Sequence, residues 1–127
     1  MDDVKILVID DDREMVEFLT LLLEDNGYAT VSAADGQEGL DKIRSENPDL
    51  VLLDITMPEK SGVRFYREVR DDPALAAIPI VMVTGVAIDF KQFIHSRRQV
   101  PPADGYLPKP VDRRELLETV ARLLERN

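Results

Sequence analysis

The sequence contains no cysteine and only one histidine among its 127 residues. The absence of cysteine excludes a disulfide scaffold and a thiolate metal site, and one histidine leaves little for a zinc site. Basic residues are also in deficit, 16 against 25 acidic ones, and the formal net charge is −9. Proteins that follow a phosphate backbone are usually basic, so this charge predicts no direct contact with nucleic acid.

Long apolar segments are missing as well. The apolar segment near the N-terminus, within "MDDVKILVIDDD", is short and has acidic flanks. This pattern fits neither a signal peptide nor a membrane span, and it predicts a cytoplasmic protein without membrane contact. We find no internal repeat and no linker, so we expect residues 1–127 to form a single domain around one core.

Short apolar runs alternate with helical patterns along the chain. Strands are predicted at 5–10, 28–34, 50–54, 78–85 and 105–107. Helices are predicted after caps at Asp12, Asp35, Ser61 and Asp112, and at about 89–98, with Gly27 ending the first of them. This alternation predicts an α/β domain with a five-stranded parallel sheet and helices on both faces.

Polar residues stand at the carboxyl ends of the predicted strands. Asp10 ends the first strand, Asp54 the third and Thr84 the fourth, and Lys109 follows the fifth. Functional residues of open parallel sheets collect beyond these ends, at the point where the strand order reverses. The apolar run "LVLLD" therefore ends on a carboxylate because the strand leaves the core there and enters a site.

The residue types at these ends point to phosphoryl transfer. Asp10, Asp11 and Asp54 are expected to lie within a few ångströms, where like charges raise one another's pKa unless a cation neutralises them. Mg²⁺ prefers oxygen ligands of this kind. With Lys109 and the Thr84 hydroxyl nearby, the group is typical of a carboxylate nucleophile that accepts a phosphoryl group. Each residue alone has an ordinary explanation, as a loop acid, a strand end or a surface lysine, but their coincidence favours a site.

Four motifs resemble a known family: "ILVIDDD", "PDLVLLDITMP" with Gly62 after it, "IPIVMVTG" and "GYLPKP". Over residues 4–125 the chain resembles the receiver domain of two-component response regulators. This resemblance implies a flavodoxin-like, doubly wound sheet in the order 2-1-3-4-5 with five helices on its two faces. Chemotaxis receivers are themselves among the examples on which the switch-point rule rests.

The resemblance also implies a function and a metal. Asp54 is implied to accept a phosphoryl group from a sensor histidine kinase or a phosphotransfer protein. Mg²⁺ is implied as the cofactor, bound directly by Asp11, Asp54 and the Thr56 backbone carbonyl, while Asp10 acts largely through water. Such a protein is a signalling switch that assists its own phosphoryl transfer and dephosphorylation, and not an enzyme with a separate substrate.

Further roles follow from the same resemblance. Thr84 and Lys109 are implied to bind the phosphoryl oxygens, Tyr106 to be the aromatic residue of the switch, and the Lys109–Pro110 peptide bond to be cis. The face formed by the fourth helix, the fifth strand and the fifth helix is then expected to change on phosphorylation. It would contact a downstream protein partner or a second copy of the domain.

The sequence departs from the family pattern after Thr84. Gly85 stands where the family usually has alanine, and Val86 is apolar at a position that tunes the lifetime of the phosphoryl group. Thr84 and Lys109 are further apart than is usual, with Pro101–Pro102 in the additional length. The course of the predicted fourth helix depends on this additional length.

The predicted fourth helix also carries a basic run on an acidic chain. No acid lies between Lys91 and Val100, and the segment contains Arg97 and Arg98. The run is either a solvated helix face or a contact surface for an acidic partner or a second copy of the domain.

Three other functions remain open from sequence alone. A haloacid-dehalogenase-type phosphatase also uses a strand-end aspartate two residues before another, as in Asp10 and Asp12, but "LLDITMP" is then unexplained and the chain lacks room for a cap. A flavodoxin-like flavin carrier shares the architecture, although three carboxylates would repel its phosphate. A pseudo-receiver would act without phosphorylation, although every required side chain is present. The chain is either a complete regulator or one domain of a longer protein.

Overall fold

The computed structural model describes residues 4–54, 61–84 and 104–125. Five strands lie within these ranges: β1 Lys5–Ile9, β2 Ala29–Ala33, β3 Leu50–Asp54, β4 Ile80–Thr84 and β5 Gly105–Pro108. Four helices lie there too: α1 Arg13–Asp25, α2 Gly36–Glu46, α3 Ser61–Asp71 and α4 Arg113–Glu125. Helix α4 is the fifth of the predicted helices, and the fourth, at about 89–98, lies outside the described residues. None of the helices in these ranges is long and apolar enough to cross a membrane.

The five strands form one parallel sheet in the order β2-β1-β3-β4-β5, which confirms the predicted fold class. Leu7 of β1 lies opposite Val31 of β2 on one side and Val51 of β3 on the other. The chain winds outward from β1 to one edge and then from β3 to the other. The switch point therefore lies between the carboxyl ends of β1 and β3.

Side chains alternate along the strands between two hydrophobic clusters, one on each face of the sheet. Leu7 and Ile9 pack in the cluster that contains the buried residues of α2 and α3. Ile6 and Val8 pack in the cluster with the buried residues of α1 and α4. Strand β3 is buried throughout because helices cover it on both faces. A leucine-to-alanine change at Leu52 is therefore expected to cost ~2–5 kcal/mol of the free energy of unfolding.

Three of the four predicted helix caps agree with the structure. The Asp12 carboxylate accepts hydrogen bonds from the backbone N–H groups of Glu14 and Met15, as an N-cap does. Asp35 and Asp112 cap α2 and α4 in the same way, each through the backbone N–H three residues ahead.

Several predicted ends were wrong by one or two residues, and two of them have a clear local description. Ser61 was expected to cap the third helix, but it is the first residue of α3. The fourth strand begins at Ile80 rather than at residue 78, because the Ile78 N–H donates to the Leu75 carbonyl in a turn. Both errors fall within the usual uncertainty of helix and strand ends.

Residue 39 allows α2 to lie close to β1. A Cβ atom on Gly39 would lie 2.6 Å from Ile9 Cδ1 and 3.2 Å from the Phe65 ring. Ile9 directly precedes Asp10, so this close packing also supports the end of β1 that carries the first predicted site residue. A side chain at position 39 would displace Ile9 or Phe65.

Arg70 joins α3 to the amino ends of β4 and β5, at the sheet edge opposite the predicted site. Its Nη1 donates to the carbonyls of Ala76 and Ile78, at 2.9 and 3.0 Å. Its Nη2 lies 2.6 Å from Asp104 Oδ2, an oxygen that also accepts from the Ile80 N–H at 2.8 Å. The Arg70 side chain is 10% exposed, so these partners replace most of the water that would otherwise stabilise its charge.

Candidate functional site

Three aspartates meet where β1 and β3 end. Asp10 directly follows β1, Asp11 comes next, and Asp54 is the last residue of β3. One carboxylate oxygen from each lies within 4.8 Å of the other two. Asp10 and Asp54 are buried, 3% and 2% exposed, whereas Asp11 is exposed. The structure therefore brings together the acidic residues that the sequence places at neighbouring strand ends.

The Asp10 carboxylate is fixed on one side and unsatisfied on the other. Its Oδ1 accepts a hydrogen bond from the Asp12 backbone N–H at 2.9 Å. Its Oδ2 is buried and has no hydrogen-bond partner among the described residues. Burial raises the pKa of Asp10 to about 6, and the charge on Asp54 adds to this, while the Asp12 hydrogen bond and Lys109 oppose it.

Lys109 supplies the positive charge beside these carboxylates. Its Nζ lies 3.4 Å from Asp54 Oδ2 and 3.8 Å from Asp10 Oδ2, and the side chain is 22% exposed. The Lys109–Pro110 peptide bond is cis, as predicted. One ammonium group facing three carboxylates leaves a surplus of negative charge at this edge of the sheet.

The donor set fits a hard divalent cation. Three carboxylates, one of which has a buried oxygen without a hydrogen bond, match the oxygen ligands that Mg²⁺ takes, together with waters, in phosphoryl-transfer sites. The described residues contain no cysteine and no histidine that would favour a softer metal at this edge.

Two of the other predicted site residues, Thr84 and Tyr106, lie in β4 and β5. Thr84 is the last residue of β4, and its backbone lies opposite Pro108 of β5. Tyr106 lies in β5 opposite Met82, and it is 38% exposed. The remaining predicted positions lie outside the described residues: Thr56, Lys91, Arg97 and Arg98.

Sequence reasoning missed a cleft beside the aspartates. The cleft, of about 670 Å³, is lined by Asp10 and Asp11, by Arg13 and Thr20 of α1, and by Lys42 of α2. The α1 and α2 residues belong to separate helices, and only the pairing of β1 with β2 brings these helices together. No local sequence pattern signals such a cleft.

Comparison with known proteins agrees with the fold. The family model of the response regulator receiver domain matches residues 6–121. Protein PilH of Pseudomonas aeruginosa is 36% identical over 120 residues, which are 94% of this chain and 97% of PilH. The DNA-binding response regulator MtrA of Mycobacterium tuberculosis is 37% identical over 125 residues, 97% of this chain and 51% of MtrA.

A second long relative is the alkaline phosphatase synthesis transcriptional regulatory protein PhoP of Bacillus subtilis. It is 34% identical over 123 residues, 97% of this chain and 49% of PhoP. The chain thus spans about half the length of PhoP and MtrA.

Solved structures show the same architecture. The CheY-like receiver domain protein of Methanospirillum hungatei has a TM-score of 0.85 and 32% identity, covering 98% of this chain and 96% of that one. Chemotaxis response regulator CheY4 of Vibrio cholerae has a TM-score of 0.84 and 31% identity, covering 96% and 99%.

The sheet order defines a doubly wound α/β domain, and the three aspartates lie at its switch point. Within this class, the chain belongs to the response regulator receiver domain family of two-component signalling. This membership removes the phosphatase and the flavin carrier from the functions that the sequence left open.

Proposed function

We propose that this receiver domain accepts a phosphoryl group on Asp54 from a phosphohistidine of a sensor kinase or a phosphotransfer protein. The observation that carries the proposal is the position of Asp54. Its carboxylate is 2% exposed, ends a central strand, and lies 3.4 Å from the Lys109 ammonium. Burial is costly for a carboxylate because the charge loses its hydration. A buried carboxylate at a strand end therefore favours a functional role for Asp54.

The reaction is a displacement at phosphorus. An Asp54 carboxylate oxygen forms the new P–O bond while the N–P bond of the phosphohistidine breaks. The electron pair of that bond goes to the imidazole nitrogen, which takes up a proton from solvent. Lys109 offsets the negative charge on the phosphoryl oxygens, and Thr84 is proposed to donate to one of them. Positioning and charge neutralisation supply most of the rate.

Asp10, Asp11 and Asp54 are the residues that would hold Mg²⁺, and the Thr56 carbonyl is proposed to join them. When bound, the cation supplies the positive charge that lets three carboxylates and the phosphoryl oxygens share one site. The Asp12 N–H holds Asp10 Oδ1, so the orientation of this carboxylate is set before any ligand arrives.

The output is proposed to be a protein contact. Thr84 and Tyr106 would form the switch, and the predicted fourth helix, β5 and α4 would form the face that changes. Support comes from the position of Tyr106 in β5, the strand that leads to Lys109, and from its 38% exposure. A downstream protein or a second copy of the domain would then bind this face.

Phosphorylation is tested by intact mass spectrometry after incubation with acetyl phosphate or with a phosphorylated histidine donor. Wild type should gain one phosphoryl group in the presence of Mg²⁺ and none in a chelator. Asp54→Asn should gain none, whereas Asp41→Asn, which changes an exposed aspartate of α2, should be labelled like wild type. Equal labelling of Asp54→Asn contradicts the assignment, and an unlabelled wild type indicates a pseudo-receiver.

A further inference from the structure

The connection between α1 and β2 consists of residues that the proposed function does not use. Helix α1 begins beside the aspartates and runs to the opposite edge of the sheet, where Asn26 and Gly27 lead into β2. Both residues are exposed to solvent. An asparagine followed by glycine is chemically the least hindered asparagine in a protein, because glycine has no side chain beside the reacting amide.

The backbone at this connection forms a Schellman motif. The Gly27 N–H donates to the Glu24 carbonyl at 3.1 Å, and the Tyr28 N–H donates to the Leu23 carbonyl at 3.1 Å. Gly27 has a φ of 92°, the left-handed conformation that this motif requires. Tyr28 also packs in the same hydrophobic cluster as Leu23, which adds the apolar contact usual for the motif.

Asn26 completes the cap through its own amide groups. Its Nδ2 donates to the Leu22 carbonyl at 2.9 Å, and its backbone N–H donates to the Leu23 carbonyl at 3.0 Å. The two groups that react in deamidation, the Gly27 nitrogen and the Asn26 side-chain amide, are therefore both held in hydrogen bonds to α1.

We propose that Asn26–Gly27 is a deamidation site that the C-terminal cap of α1 keeps closed in the folded protein. The Gly27 nitrogen attacks Asn26 Cγ, a new N–C bond forms, and the bond between Cγ and Nδ2 of Asn26 breaks. Ammonia leaves with the proton that the Gly27 amide loses. Water then opens the cyclic imide and gives aspartate or isoaspartate at position 26, so water is the only co-reactant.

Both reacting groups must leave their hydrogen bonds before the reaction can occur. The reaction therefore proceeds from conformations in which the last turn of α1 is open. Such local openings at helix ends need less free energy than global unfolding, so deamidation in the native protein is slow but not abolished.

The product destabilises the cap that held the reactants. A carboxylate at position 26 cannot donate to the Leu22 carbonyl, and it adds negative charge beside Glu24 and Asp25. The C-terminal end of a helix disfavours negative charge. An isoaspartate also lengthens the backbone by one carbon before Ala29, the first residue of β2. The modification is thus expected to lower the stability of α1 while leaving the aspartates and Lys109 unchanged.

Peptide mapping by mass spectrometry tests this site in the whole protein. Samples are kept in mildly alkaline buffer as folded protein, in urea below the unfolding transition, and in urea that unfolds the protein. Conversion of Asn26 should be slowest in the folded protein, faster below the transition and fastest in the unfolded state. A rate difference of roughly tenfold between the folded and unfolded states corresponds to about 1.4 kcal/mol of opening free energy.

The sequence offers an internal control. Asn47 is exposed like Asn26 but precedes Pro48, whose nitrogen carries no hydrogen and cannot take part in the same ring closure. Asn47 should stay unconverted under all three conditions. Asn26→Gln keeps a side-chain amide but cannot close the five-membered ring readily, so it should remove the conversion at position 26.

Three results contradict the proposal. Equal rates in the folded and unfolded states show that the cap does not protect Asn26. An intact Asn26 in the unfolded state shows that it is not a reactive site. An unchanged melting temperature in fully converted protein shows that the product does not weaken α1. None of these measurements depends on phosphorylation of Asp54.

Discussion

The Lys109 ammonium lies 3.4 Å from the Asp54 carboxylate, although Asp54 ends β3 and Lys109 follows β5, two strands that are not neighbours in the sheet. Strand β4 separates them, so the lysine reaches across the carboxyl end of β4 to meet the acid. This arrangement pairs a buried carboxylate with a cation whose side chain is 22% exposed.

Removal of the Lys109 charge should slow phosphorylation more than it affects folding. Lys109→Gln is expected to lower the phosphorylation rate by ~10²–10³, the effect of losing one group that stabilises transition-state charge. Labelling time courses with acetyl phosphate measure this rate. Lys5→Gln, at the opposite edge of the sheet, is the control and should keep the wild-type rate. A Lys109→Gln variant that is labelled as fast as wild type would exclude a role for this ammonium.

Mg²⁺ should stabilise the folded protein by mass action. At a free concentration of about 100 Kd, binding to the folded state alone adds about 2.7 kcal/mol. A thermal-shift titration should show a rising melting temperature in wild type and most of that rise lost in Asp11→Asn. Asp41→Asn, an exposed change in α2, should respond like wild type. The absence of any Mg²⁺ dependence in wild type would count against the metal site.

The stability of the metal-free protein should depend on the ionisation of Asp10. Its pKa is raised to about 6 in the folded state, against 3.8 in the unfolded state, so the folded state holds the proton more tightly. The protonated Asp10 therefore contributes to the free energy of unfolding below its unfolded-state pKa of 3.8. This contribution, up to about 3 kcal/mol, is lost as the pH rises towards 6. Urea unfolding in a chelator should show that wild type loses stability relative to Asp10→Asn across this window. A pH-independent difference between the two proteins would show that Asp10 is ionised normally.

Loss of Arg70 should destabilise the fold without touching the site. Arg70→Met leaves the partly buried carbonyls of Ala76 and Ile78 without their donor, at a cost of at most about 1–3 kcal/mol each. It also removes the cation 5.2 Å from the centre of the Tyr66 ring. Arg64→Met is the matched control on the same helix, since its side chain is 66% exposed, and it should change stability by less than about 0.5 kcal/mol. Equal midpoints of urea unfolding for the two variants would show that the Arg70 contacts contribute nothing.

The proposed output route predicts a change that extends beyond the aspartates. Beryllofluoride, a phosphoryl mimic, should shift the amide resonances of β5 and α4 as well as those around Asp54. The physical reason is that a ligand favours the conformation that it binds better, so a switch through Tyr106 must move with it. Amide NMR spectra with and without the mimic measure this. Shifts confined to Asp10, Asp11, Asp54 and their neighbours would refute the route.

The parts of the fold that the sequence predicts well are those with a local signal. Apolar runs identify β1, β3 and β4 because both faces are covered. The acids at the ends of β1 and β3 identify the candidate site because parallel strands end on the same side of the sheet. The Arg70–Asp104 pair carries no such signal. Its partners are separated in sequence and meet only when α3 packs against the starts of β4 and β5. The close approach at Gly39 is hidden for the same reason, since nothing near residue 39 in sequence indicates Ile9 or Phe65.

The positions of the site residues in the sheet give them unequal protection against local opening. Asp10 follows β1 and Asp54 ends β3, and both strands have hydrogen-bonded neighbours on both sides. Lys109 follows β5, which among the described strands pairs with β4 alone. Amides of central strands generally exchange with solvent only in global unfolding, while those of edge strands exchange through smaller openings. A local opening that releases β5 would therefore move Lys109 away from the site and leave the carboxylates in place. The acidic half of the site would survive fluctuations that the basic half does not.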